Sequence, residues 1–154
     1  MKTLSLVLSL LLLLAGCGAS SPANVAAPGH GALAVQVAPN PVVARQISGE
    51  MYELPFEVIV RETGGRAVEI TEVSATATIA GGLTVDLESW DAARIRSMGY
   101  QTTVPANGEL RYRFAPRREV PEAVFGGVTA RLLVEGRDDT GTETSATTTV
   151  TVRR

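Results

Sequence analysis

From Leu33 onward, apolar and polar residues alternate with a period of two through most of the chain. Leu33, Val35 and Val37 share one phase before Pro39-Asn40-Pro41 ends the run. Leu54, Phe56, Val58 and Val60 alternate with Glu53, Glu57 and Arg61, which the pattern places in water. Pro55 removes a ladder donor and so marks a strand start or a bulge. Thr63-Gly64-Gly65-Arg66 is a tight-turn signal and predicts a hairpin to the next strand. That strand begins with Val68 and Ile70 on one phase and continues with Val73, Ala75, Ala77 and Ile79 on the other. A period-two strand keeps both sets on one face only if a residue is inserted, which predicts a bulge near Thr71-Glu72. Gly81-Gly82 then turns the chain into Leu83-Val85-Leu87.

Further on, Leu110, Tyr112 and Phe114 alternate with Arg111 and Arg113. Val128, Ala130, Leu132 and Val134 alternate with Thr129, Arg131 and Glu135. Asp138-Asp139-Thr140-Gly141 reads as a hairpin turn, and a last strand runs to Val152 through β-branched threonines. Helical spacing is confined to Trp90–Arg96, a turn or two inside a long connection, with Gly99 as its stop. Seven or eight such strands in one domain's length predict an all-β fold, an antiparallel β-sandwich. The pattern resembles the immunoglobulin-like or fibronectin-III-like modules of bacterial surface proteins. It lacks the Cys…Trp…Cys spacing of a true immunoglobulin domain, because Cys17 is the sole cysteine. If the strand order follows that fold, the Leu54 strand pairs with the Leu110 strand. Glu57 then lies near Arg111 or Arg113 on the outer face.

The front of the chain has a different grammar. Lys2 precedes an apolar run from Leu4 to Leu14, broken only by Ser5 and Ser9. The run is about half the ~20 residues that a membrane-spanning helix needs. Its basic start and small-residue exit fit a secretory signal. Leu14-Ala15-Gly16-Cys17 resembles the lipobox of bacterial lipoproteins at all four positions. The resemblance implies cleavage after residue 16, a diacylglyceryl group on the Cys17 thiol and acylation of the new amine. Two or more acyl chains hold a protein stably on a bilayer, where one holds it only marginally. The next residue is Gly18 rather than Asp, which by the same resemblance favours the outer membrane in a cell that has two. The expected organisation is a cleaved signal at 1–16, a lipidated cysteine and Pro/Gly-rich linker at 17–31, and a β-sandwich at 32–154. The linker reaches roughly 20 Å as a coil and at most about 50 Å when extended.

Composition narrows the function. Lys2 is the only lysine, so the chain after cleavage carries thirteen arginines against sixteen acids. That balance argues against nucleic acid and against a polybasic contact with anionic lipid. The lack of lysine removes Schiff-base chemistry and a P-loop. His30 is the only histidine and lies between glycines in the linker, where no rigid shell orients it. One histidine and a lipidated cysteine leave no zinc or copper ligand set and no histidine-assisted nucleophile. No cofactor is expected.

Asp138, Asp139 and Glu143 lack the ligand spacing of a calcium loop and read as a solvated hairpin tip. Glu62, Glu69 and Glu72 flank a turn, where charges are ordinary. Trp90, Met98 and Tyr100 are the candidate binding residues, in or beside the longest irregular connection. The alternative for Trp90 is that, with Ile95, it plugs one end of the sandwich. Arg117-Arg118 is a smaller candidate patch. The expected function is therefore a non-catalytic, lipid-anchored envelope lipoprotein with an interaction or scaffold domain. The alternatives are a glycan or small-ligand module using the 89–100 loop, and an enzyme working with carboxylates alone.

Overall fold

The computed structural model describes residues 29–78, 84–121 and 128–154. The lipobox with Cys17, most of the expected linker and the Gly81-Gly82 turn lie outside the described residues. The front sheet is β1 (Leu33–Ala38), β5 (Phe56–Glu62) and β9 (Glu109–Phe114), paired antiparallel in the order β1-β5-β9. It continues past a break at Leu54-Pro55 and Ala115-Pro116 into a smaller sheet. That sheet orders β10 (Arg117–Glu119), β4 (Met51–Glu53) and β3 (Arg45–Ser48). Prolines on both strands remove ladder donors at the break, while the Leu54 amide still bonds the Pro116 carbonyl at 2.9 Å.

The back sheet has the order β2 (Val42–Val43), β12 (Glu143–Arg153), β11 (Thr129–Asp138), β6 (Val68–Thr78) and β7 (Thr84–Asp91). A short β8 (Thr103–Val104) pairs with the start of β6. One short helix, α1 (Ala92–Ser97), follows β7. Seven of these strands have six residues or more, as the alternation predicts. No helix among the described residues is long and apolar enough to cross a membrane.

The core lies between the sheets. Val58, Val60 and Tyr112 from the front meet Val73, Leu132 and Val134 from the back, all buried. Each fully buried side chain of this size contributes about 1.5–3 kcal/mol. β6 carries the expected bulge: Glu135 faces Glu72 while Gly136 faces Ile70, so Thr71 is the inserted residue. Val68 and Ile70 therefore share the core face with Val73 and Ala75. The expected β5–β9 pairing is also present, with Glu57 opposite Arg113 and 2.8 Å from the Arg111 guanidinium.

Two expectations need correction. Thr63–Arg66 does not make a hairpin, because β5 pairs with β1 and β9 whereas β6 pairs with β11, β7 and β8. The segment instead crosses from one sheet to the other. Trp90 does not sit in an irregular connection. β7 runs unbroken to Asp91, whose carboxylate caps α1 by accepting the Arg94 amide at 2.7 Å. A bulge at Leu87, between the pairs Thr76–Asp86 and Ala75–Glu88, switches the phase of β7 and turns Trp90 inward.

Candidate functional site

The sequence points first to the Trp90–Tyr100 segment for binding. The Trp90 indole is 3% exposed and stacks on Phe114 with centroids 4.1 Å apart. Phe56 meets its edge, and the Arg94 guanidinium lies 5.8 Å from its ring centroid. No ring face is left for a sugar. Ile95 is fully buried and belongs to the same core cluster. Tyr100 is half-buried and uses its hydroxyl on one edge residue. That hydroxyl donates to the Arg113 carbonyl and accepts from the Arg113 amide, both at 3.2 Å. Met98 ends α1 and is 42% exposed. The structure therefore separates the three residues into core, edge cover and surface.

Trp90 also walls a void of about 50 Å³ with Phe56, Leu132 and Val150. A cavity that holds benzene measures about 150 Å³, so this one admits neither a sugar nor an aromatic ring. Arg118 closes its lip. The guanidinium donates twice to the Leu87 carbonyl, at 3.2 and 2.5 Å, and pairs with Glu88. Leu87 is the bulged residue and has no partner in the β6–β7 register. Burial raises the Glu88 carboxyl, but Arg94 and Arg118 outweigh it and keep it below the ordinary glutamate range. Arg118 is thus a strap between the sheets, and its neighbour Arg117 pairs loosely with Glu53 at 3.5 Å.

The most organised polar structure stands where the folded domain begins. The Gly31 amide donates to Asp138 at 2.9 Å, and the Ala32 amide donates to Glu62 at 3.0 Å. Glu62 also accepts the amides of Gly64, Gly65 and Asn107 at 2.6, 2.9 and 2.8 Å. Asn107 takes a left-handed φ of 55° to present that amide. Asp138 has a fully buried side chain and accepts the Thr140 hydroxyl and the Thr140 and Thr142 amides. Burial raises Glu62, but the four amides win and lower it. The Thr140 hydroxyl and the Gly31 amide hold Asp138 well below the usual carboxylate range. Both groups are ionised and saturated with donors, so they hold backbone rather than move protons.

The same end corrects the reading of His30. His30 is not free of a shell: its Nδ1 lies 3.2 Å from the Thr142 hydroxyl and 3.7 Å from Asp138. The described residues begin just ahead of this cluster, at Gly29. Packing there is tight. A Cβ on Gly31 would lie 2.6 Å from Val68, and one on Gly64 would lie 2.2 Å from the His30 carbonyl oxygen.

The remaining acids go separate ways. Asp139 pairs with Arg66 and Glu143 with Arg137, so the hairpin tip gathers no ligand set. Glu69 bonds Thr102 and Thr103, and Glu72 bonds Ser89. Among the described residues, no group of three or more His, Cys, Asp or Glu is placed to hold a metal ion. Reading the sequence alone misses the roles of Glu62, Asp138 and Arg118. A signal for the first two was present: Glu62 follows Val58 and Val60 on the inward phase, and Asp138 follows Val134 and Gly136.

No family model matches the sequence, and no curated protein does either. Solved structures do resemble it. One is a Bordetella pertussis protein given the provisional name ApaA, at TM-score 0.57 and 14% identity, covering 83% of this chain and 99% of that one. Another is a Northeast Structural Genomics Consortium target, SoR45, at TM-score 0.52 and 13% identity, covering 82% and 90% of the two chains. The CARDB domain of a Pyrococcus furiosus protein is more distant, at TM-score 0.41 and 15% identity over 80% of this chain and 94% of that one. At these identities the likeness concerns the β-rich fold alone.

Proposed function

We propose that the chain is a non-catalytic lipoprotein of a bacterial envelope, held to a bilayer through lipid on Cys17, with its sandwich acting as a protein-interaction or scaffold module. The observation that carries the reading is the match of Leu14-Ala15-Gly16-Cys17 to a lipobox, followed by a Pro/Gly-rich stretch ahead of β1. What supports the second part is the pair of carboxylates at that point. They fasten Gly31 and Ala32 to both sheets, so a tether pulling there meets the rigid body of the fold. The lean towards an outer membrane rests on Gly18.

Intact mass of the natively produced protein tests the anchor. The expected product starts at Cys17 with a diacylglyceryl group and partitions into detergent. Cys17→Ser is expected to move the protein into the aqueous phase. An unmodified thiol on membrane-free protein would overturn the reading. The 89–100 ligand alternative loses its support with the Trp90–Phe114 stack.

A further inference from the structure

The sheet edges of this domain are treated unequally. On the β12 side, the Asn40 side chain acts as a strand residue: its amide donates to the Thr149 carbonyl at 3.2 Å, and its oxygen accepts the Thr151 amide at 3.1 Å. On the β9 side, the Tyr100 hydroxyl occupies both backbone groups of Arg113. On the β7 side, Arg118 takes the Leu87 carbonyl. Unpaired edges invite other chains, and such covers blunt them. β3 ends its sheet, all four of its residues are exposed, and no side chain among the described residues bonds its backbone.

At the Arg45 end of β3 lies an open groove of about 610 Å³, lined by Pro39, Val43, Phe56 and Phe114 and by the charged Arg45, Glu57 and Arg113. Val43 and Ile47 are 38% and 48% exposed. Arg45 has no carboxylate partner among the described residues. Arg113 is 82% exposed and gives only its Nε to Glu57, which Arg111 also holds. The groove therefore has an apolar floor and spare guanidinium donors, whose planar fork suits a carboxylate.

We propose that the β3 edge and this groove receive an extended acidic segment of another envelope protein, added as a strand along Arg45–Ser48 with carboxylates on Arg45 and Arg113. The proposal rests on the interaction-module reading and names its surface. Strand addition supplies backbone bonds, and the alternate side chains supply selectivity. A second copy is a poor occupant. β3 is four residues long, is bulged at Ile47, and contains no acid to answer Arg45. A bilayer is a poor occupant too, because two arginines with Glu57 between them make no polybasic patch for anionic lipid.

The test uses the lipidated protein in zwitterionic nanodiscs and a fluorescent hexapeptide of alternating Glu and Val. Saturable anisotropy is expected, at least about tenfold weaker for a Lys–Val peptide and for Arg45→Glu or Arg113→Glu. It should weaken with salt and stay unchanged for Arg131→Glu on the other sheet. Equal binding of both peptides, or indifference to Arg45→Glu, would overturn the proposal. In cells, a photocrosslinking residue is placed at Ile47 or at Thr147. An adduct with a different protein, formed at Ile47 through an acidic segment of it, supports the proposal. An adduct with a second copy overturns it. Adducts at Thr147 alone overturn it and leave the interaction reading standing, whereas adducts at neither overturn both.

Discussion

Tyr112 carries the one buried side-chain polar atom without a hydrogen-bond partner among the described residues. Its ring is 1% exposed, and burial pushes its phenol above the ordinary tyrosine range. A buried hydroxyl without a partner destabilises by about 1–3 kcal/mol, so removing it helps. Tyr112→Phe is expected to raise stability by about 1 kcal/mol, read as a higher urea midpoint at unchanged slope. Glu62 is the opposite case, since every lone-pair direction it offers is used by an amide. Glu62→Ala leaves four amides without their acceptor and is expected to lower stability by about 3 kcal/mol or more in the same assay.

Among the elements, adjacent glycines in the crossing between β5 and β6 separate two mechanisms. Gly65 has a φ of +87° and open space around it, so Gly65→Ala meets only backbone strain, about 1 kcal/mol. Gly64→Ala drives a methyl group into the His30 carbonyl and the Ala32 amide, which are backbone and cannot swing aside. It is expected to exceed Gly65→Ala by about 2 kcal/mol or more in thermal unfolding. The elements also divide what was legible in advance. Alternation reveals which face a residue occupies, so β1, β5, β6, β9, β11 and β12 and the Thr71 bulge were readable. It does not reveal which strand a neighbour chooses, so the Thr63–Arg66 crossing looked like a hairpin. In β7 the Leu87 bulge broke the period, and Trp90 appeared to lie outside any strand. Glu57 with Arg111 and Arg113 was readable because pairing two alternating strands brings their outer faces together. The Arg118 strap was not, since it joins the two sheets through a carbonyl that no sequence pattern marks.

For the molecule as a whole, acid is the expected weakness. Glu62 and Asp138 both titrate lower in the fold than in the unfolded chain. Below the ordinary carboxylate range of about 4, the unfolded state therefore binds more protons. The stability they supply is complete above that range and is lost as pH falls through the folded values. Melting temperature is expected to be flat from about pH 6 to 8 and to fall steeply below about pH 4, with a shallower fall in Glu62→Gln. Calorimetry across that range checks it. A further consequence follows from the stack of Trp90 on Phe114. The chain has a single tryptophan, and it stands between the sheets, 3% exposed. Its emission and near-ultraviolet dichroism therefore report the parting of the two layers without any attached dye, a built-in optical gauge for each of the variants above.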